Sequence, residues 1–270
     1  MTELEFFENV ASYKLMTKKE VGQNFLIDAS TCKRIVDALG IQKDERVLEI
    51  GCGAGSLTYF LKDSEGEIDV IDIDEAMLLK VQKDFENYPH LHIQYGNAAK
   101  FDYAPYDKII GNLPYYITSL IIEKAILGGV KAKKMVFMIQ KEAAERILAK
   151  PNSKEYSPLS ILISLCFDSK KLFNVSRNCF VPAPHVDSSV IQLRRKSDLS
   201  LEEARKTYDL ANALFAFRRK TILNNLKNTL HDGDKASKIL HTQGIPENKR
   251  PEELTPNQYL DLMKAISSWK

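Results

Sequence analysis

The chain has 270 residues, 44% of them hydrophobic and 27% charged, with a formal net charge of +2. That length fits one large domain or a domain with a smaller appendage, and the composition is globular rather than disordered or fibrous. No apolar run approaches the roughly 20 residues of a membrane helix, and MTELEFFENVASYKLMTKKE lacks the basic-then-apolar pattern of a secretory leader.

Val47–Ile50 (VLEI) is a short apolar run closed by Gly51-Cys52-Gly53-Ala54-Gly55, and it reads as a buried strand. Ser56–Lys62 starts a helix, Ile68–Ile73 is a second strand, and a helix follows from Glu75 to about Phe85. Leu91–Tyr95 and Lys108–Gly111 are the third and fourth strands, Ser119–Leu127 a helix, and Met135–Ile139 the fifth strand. Strands alternating with helices at this spacing predict a parallel, doubly wound α/β sheet. Leu172–Val175 and Ser188–Arg194, joined through a proline-rich stretch, are expected as an antiparallel edge pair.

Beyond Arg195 the pattern is purely helical: Leu201–Phe217, Lys220–Leu230, Ala236–His241 and Pro256–Ser267. The expected division is therefore an α/β domain over 1–196 and a helical domain over 197–270. From Arg194 onward there are 15 Lys/Arg against 10 Asp/Glu, so this tail is +5 and the preceding 193 residues are −3. A solvated helical surface accounts for such a balance, and so does a module that meets nucleic acid phosphates. Cys32, Cys52, Cys166 and Cys179 form no C-x-x-C pair and no metal-ligand spacing. No metal is expected, and the cysteines read as thiols of a reducing cytoplasm.

Three motifs carry chemistry. In Glu49-x-Gly51-x-Gly53-x-Gly55 the glycines permit a sharp turn and close approach to a ligand. A dinucleotide site would show G-x-G-x-x-G; the acidic residue and the tighter spacing here instead resemble S-adenosylmethionine-dependent methyltransferases. Asp72, 21 residues beyond Gly51, ends the second strand, where a carboxylate can accept both hydroxyls of a ribose. Asn97 follows the third strand, and its side-chain oxygen can accept from an adenine N6, although a turn also favours Asn there. Asn112-Leu113-Pro114-Tyr115 closes the fourth strand. It is either a tight turn or an amine clamp, in which the Asn112 oxygen and the Leu113 carbonyl, stiffened by Pro114, accept from an exocyclic –NH2 beside the Tyr115 ring.

Val21-Gly22-Gln23-Asn24-Phe25-Leu26-Ile27-Asp28, the glycine loop, Asn112–Tyr115 and Phe180-Val181-Pro182-Ala183-Pro184-His185-Val186 occur in one order. Together with Phe217–Leu226 (FRRKTILNNL) and Arg250–Leu254 (RPEEL), they make the chain resemble the KsgA-type ribosomal RNA adenine dimethyltransferases from about residue 17 nearly to the C-terminus. The resemblance implies a Rossmann-like class I methyltransferase sheet with a smaller all-helical C-terminal domain. It implies S-adenosyl-L-methionine as cofactor, with Asn24, Leu26 and Gln23 at its methionine end. Gly51 and Gly53 would lie against the cofactor, Asp72 on the ribose, Asn97 at the adenine, and Asn112 between cofactor and target amine. Phe180 would stack on a flipped base opposite Tyr115; on its own, a lone Phe is more often a core residue.

The family more often has Glu at position 72 and Asp at 97, so cofactor affinity is expected to differ while the site survives. The implied substrate is a pair of adjacent adenosines in the 3′-terminal hairpin of small-subunit ribosomal RNA, met within a pre-assembled small subunit. The enzyme is expected to be a cytoplasmic monomer with no membrane partner. Arg218-Arg219-Lys220 is a candidate RNA contact or, equally, an exposed helix start. Residues 1–16 are expected to be mobile and Lys14–Glu20 to rearrange on cofactor binding. An Erm-like enzyme of large-subunit RNA, and an RNA-binding assembly factor without catalysis, are the competing readings.

Overall fold

A computed structural model describes residues 1–13, 23–196 and 199–268. Val21, Gly22 and the Lys14–Glu20 stretch lie outside them. Of residues 1–16, expected to be mobile, the described residues 1–13 are instead tied down. Thr2 accepts from the Glu5 amide while the Glu5 carboxylate accepts from the Thr2 amide, and this reciprocal cap starts α1 (Glu3–Ser12). Phe6, Phe7 and Val10 on one face of α1 are buried. Phe6 stacks 4.6 Å from Tyr59 and tilts against Phe85, and Phe7 meets Tyr59 edge-on at 5.8 Å. These aromatic pairs hold the helix where no sequence motif announced it.

The chain continues through β1 (Phe25–Leu26), α2 (Ala29–Leu39), β2 (Arg46–Ile50), α3 (Thr58–Leu61) and β3 (Glu67–Asp72). Next come α4 (Glu75–Asp84), β4 (Leu91–Tyr95), β5 (Lys108–Asn112), α5 (Thr118–Gly128), β6 (Lys134–Gln140), α6 (Lys141–Ile147) and α7 (Pro158–Cys166). After these lie β7 (Phe167–Val175), β8 (Phe180–Val181), β9 (Ser188–Arg195), α8 (Leu201–Phe215), α9 (Ile222–Leu230), α10 (Gly233–Thr242) and α11 (Pro256–Ser268). Asp28 begins α2 by accepting from the Thr31 amide at 2.7 Å.

Seven strands form one sheet in the order β4-β3-β2-β5-β6-β9-β7, and β1 pairs with β8 in a separate two-stranded ribbon. The pairs β3–β4, β2–β3, β2–β5 and β5–β6 are parallel, and β9 runs antiparallel to β6. β9 is thus interior, and β7 takes the edge. Val47, Ile68, Val70, Ile110, Val136 and Met138 join α1, α2 and α4 in one core. Leu48, Ile50, Ile109, Phe137 and Ile191 are equally buried, as expected of strands covered on both faces. Chain order reverses between β2 and β5, which makes their C-terminal ends the switch point where doubly wound sheets place ligands.

Two compact units emerge. One is Met1–Ala144 with Lys170–Arg195; the other is Glu145–Ser169 with Lys196–Lys270. The helical unit is therefore wider than the stretch read from sequence, because Glu145–Ser169 clusters with it. Within it, α7 and α11 pack on α8, α9 on α8, and α10 on α9. Ile161, Leu162, Ala211, Leu214, Leu226 and Leu262 are buried.

Candidate active site

The C-terminal ends of β2, β3, β4 and β5 open onto a cleft of about 300 Å³, and all of it belongs to the sheet unit. The loop after β2 forms its floor. Gly51, Gly53 and Gly55 have φ of 73, 51 and 85°, values that L side chains rarely adopt. At Gly53 a Cβ would also stand 3.1 Å from the Phe25 ring. The Gly51 amide donates to the Ile71 carbonyl at 2.8 Å and the Gly55 amide to Cys52, so the loop is fixed between β2 and β3.

Asp72 faces this loop. One carboxylate oxygen accepts from the Gly53 amide at 2.9 Å and the other from the Asp74 amide at 2.9 Å. Burial raises the Asp72 pKa, and those amides oppose the shift. Behind it, Glu49 is 1% exposed, and its Oε2 accepts from the Thr58 hydroxyl at 2.7 Å. Burial pushes the Glu49 pKa up to about 7, against the Thr58 hydrogen bond and with help from the Asp72 charge.

Gln23, Asn24 and Leu26 line the same cleft. Gln23 donates to Asp74 at 2.8 Å, and the Ser56 hydroxyl donates to the Leu26 carbonyl at 2.7 Å, joining β1 to the end of the glycine loop. Asn97 is present, but its side-chain oxygen accepts from the Ala99 amide at 3.0 Å and so shapes its own turn.

Asn112 ends β5 on the opposite rim. Its Nδ2 donates to the Asn24 carbonyl at 3.3 Å, which leaves Oδ1 accepting nothing from the described residues. The Leu113 amide donates to Met138 at 3.0 Å, while the Leu113 carbonyl likewise accepts no hydrogen bond from them. Gly111, one residue upstream, is needed for close approach, since a Cβ there would stand 2.6 Å from the Ile50 carbonyl oxygen. Pro114 and the Thr118 hydroxyl, which donates to the Pro114 carbonyl at 2.9 Å, stiffen the turn. Tyr115 shares a 2.8 Å hydrogen bond with Ser188, and burial raises its pKa.

The structure brings together Gln23, Asn24, Leu26, Gly51, Gly53, Asp72, Asn97 and Asn112–Tyr115. It does not bring Phe180 with them. That ring is 2% exposed in the core, in register with Leu26, and absent from the cleft wall. Ile73, Leu57, Ile117 and Ile121 also line the cleft and were not singled out from sequence. Ile73, which directly follows Asp72 at the end of β3, is apolar yet 41% exposed.

A family model described as ribosomal RNA adenine dimethylase matches residues 15–268. The chain is 39% identical over 251 residues to ribosomal RNA small subunit methyltransferase A of Thermotoga petrophila, covering 92% of this chain and 91% of that protein. It is 36% identical to the protein of the same name from Malacoplasma penetrans, covering 96% of each. Among solved structures it is similar to a dimethyladenosine transferase from Plasmodium falciparum, with a TM-score of 0.76 and 31% identity over 89% of this chain and 96% of that one. The 23S rRNA methyltransferase ErmE aligns with a TM-score of 0.68 and 23% identity over 91% and 100%, a likeness of fold alone.

Proposed function

The chain belongs to the ribosomal RNA adenine dimethylase family, and from that premise we propose that Asn112 and Leu113 grip the adenine N6 amine while the glycine loop and Asp72 hold the methyl donor. It is a class I, S-adenosylmethionine-dependent methyltransferase that dimethylates adenine in 16S-type ribosomal RNA. The observation that carries the division of labour is the pair of acceptors, Asn112 Oδ1 and the Leu113 carbonyl, with no donor among the described residues.

The floor fits the cofactor. Asp72 Oδ1 accepts only the Asp74 amide and keeps a further lone pair for a ribose hydroxyl, while Oδ2 accepts from the Gly53 amide and, more weakly at 3.9 Å, from the Cys52 thiol, which a ligand hydroxyl would displace. Gly51 and Gly53, at positive φ that L side chains rarely adopt, present bare backbone to a ligand, and Ile73 offers an apolar face to a nucleobase. When bound, S-adenosylmethionine supplies an electrophilic methyl group on a sulfonium.

The N6 lone pair is delocalised into the ring and attacks poorly. Accepting hydrogen bonds from both N–H groups favours a tetrahedral nitrogen and stabilises the charge developing on it. Holding that nitrogen in line contributes up to roughly 7–11 kcal/mol in well-oriented systems. No side chain of the cleft need act as base, because the methylated ammonium is acidic enough to release its proton to water. Tyr115 supplies the aromatic face beside the amine, and a flipped base regains there part of the stacking it gives up. Phe180 would complete a sandwich only if its segment left the core.

Two adjacent adenosines of the 3′-terminal hairpin, met in a pre-assembled small subunit by a monomeric cytoplasmic enzyme, complete the proposal. Within the helical unit, Arg219 and Lys220 are better placed than Arg218 for RNA. The Arg218 guanidinium donates to the carbonyls of Ser153 and Lys154 at 3.0 and 2.7 Å and pairs with Glu252 at 3.2 Å. The test is to incubate the protein with labelled cofactor and unmethylated small or large subunits, then map the label. Label confined to adenine N6 of small-subunit RNA is expected; label on large-subunit RNA, or none, overturns the proposal.

A further inference from the structure

A row of cations crosses the sheet at the end opposite the cleft. Lys108, which begins β5, is in register with Lys134, which begins β6, and Lys134 is in register with Arg194 near the end of β9. Residues in register on neighbouring strands point to the same face, and like charges set opposite one another repel. Lys170 on β7 adds a fourth charge. Burial, and then the positive charges of Lys108, Arg194 and Lys170, lower the Lys134 pKa, and Glu45 opposes them.

One member of the row is neutralised. Lys108 is buried, pairs with Glu45 and donates to the Gly40 carbonyl, at the C-terminal end of α2 where a cation is favoured. Glu45 is further engaged by the Gln42 amide, and Asp107 nearby by the Arg46 amide. Lys134, Lys170 and Arg194 have no carboxylate partner and no side-chain hydrogen bond among the described residues. Lys170 and Arg194 are exposed, as are Lys131 and Lys133 just before β6. Repulsion of this kind is relieved by an anion, and strands about 4.8 Å apart present the charges as a line. A line of cations suits a linear polyanion better than a single point charge.

We propose that Lys134, Lys170 and Arg194 form a second RNA-contacting surface, which holds the phosphodiester backbone of the ribosomal RNA at the end of the sheet unit remote from the cleft. The inference rests on ribosomal RNA being the substrate, but not on any role given to the cleft residues. It places phosphate-binding side chains on the catalytic unit itself, in addition to the basic helical unit.

The test measures affinity for unmethylated small subunits as a function of salt. K134Q/R194Q should reduce the slope of log affinity against log salt by about 1.4–1.8, at roughly 0.7–0.9 for each phosphate no longer neutralised. It should leave cofactor affinity by calorimetry unchanged and should hold or raise the thermal midpoint, because it removes two mutually repelling charges. K83Q/K100Q removes the same charge at the opposite edge of the sheet, and should leave the slope in place. Equal slopes for wild type and K134Q/R194Q, or equal reductions in both double variants, would overturn the inference. Wild type without salt-dependent binding would overturn the ribosomal RNA reading along with it.

Discussion

On the glycine rim of the cleft both Asp72 oxygens accept backbone amides, from Gly53 and Asp74, whereas on the Asn112 rim two acceptors receive nothing from the described residues. Both rims are rigid, yet for different reasons. The first uses its carboxylate as a brace for its own loop, so a ligand there shares oxygens already at work. The second is fixed through other atoms: the Asn112 amide nitrogen, the Leu113 amide and the Pro114 ring. Its acceptors are thereby presented at no cost in reorganisation, which is what stabilisation of a transition state needs. Under the proposed function, the first rim binds the methyl donor and the second carries the chemistry.

Asn112→Ala breaks this contrast most sharply. It should lower methyl transfer by roughly 10²–10³-fold, about 2.7–4 kcal/mol, as loss of one preorganised charge-stabilising partner does. Binding to unmethylated subunits should persist, which co-sedimentation checks. Joint loss of binding and transfer would make the rim a structural element only. Asp72→Ala comes next, with cofactor affinity falling by about 1.5–3 kcal/mol, the range for hydrogen bonds to a charged group. Calorimetry with S-adenosylmethionine reads it, and Asp72→Glu should recover most of the loss. Unchanged cofactor affinity in Asp72→Ala would erase the distinction between the rims.

The last effect, one on stability rather than on transfer or cofactor binding, belongs to Glu49, whose folded pKa of about 7 lies above its ordinary value of 4.5. Between those values the folded chain holds a proton that the unfolded chain has released. Its contribution to stability is therefore fully present below about pH 4.5 and is lost as pH rises through about 7. The slope is at most about 1.4 kcal/mol per pH unit. Glu49→Gln should flatten that part of the profile, seen as urea midpoints that drift less between pH 5 and 8 than in wild type. An identical drift in both proteins would place the proton elsewhere.

The sheet and its cleft were legible because their signals are local. VLEI and IDVIDI are apolar runs bounded by turn residues, and the glycine loop, Asp72 and Asn112–Tyr115 each sit at a strand end that such runs reveal. Signals that depend on distant partners were not legible. Nothing in EFFENV says that Phe6 and Phe7 will meet Tyr59. Arg218 looks like surface charge until the Ser153 and Lys154 carbonyls arrive beside it. Resemblance assigns Phe180 to a base, yet its ring is core. α7 escapes the sequence reading although Ser157 and Pro158 give a readable start: a Ser cap accepting from the Ser160 amide, then Pro in the first turn.

The burial of α1 bears on how the protein can be handled. Tyr59, Phe60 and Phe85 are covered in part by Phe6 and Phe7. A chain trimmed to begin after Tyr13 would bare these rings as one contiguous aromatic patch, the kind of surface that drives self-association. Residues 1–13 thus act as the cover of an aromatic surface on the sheet unit.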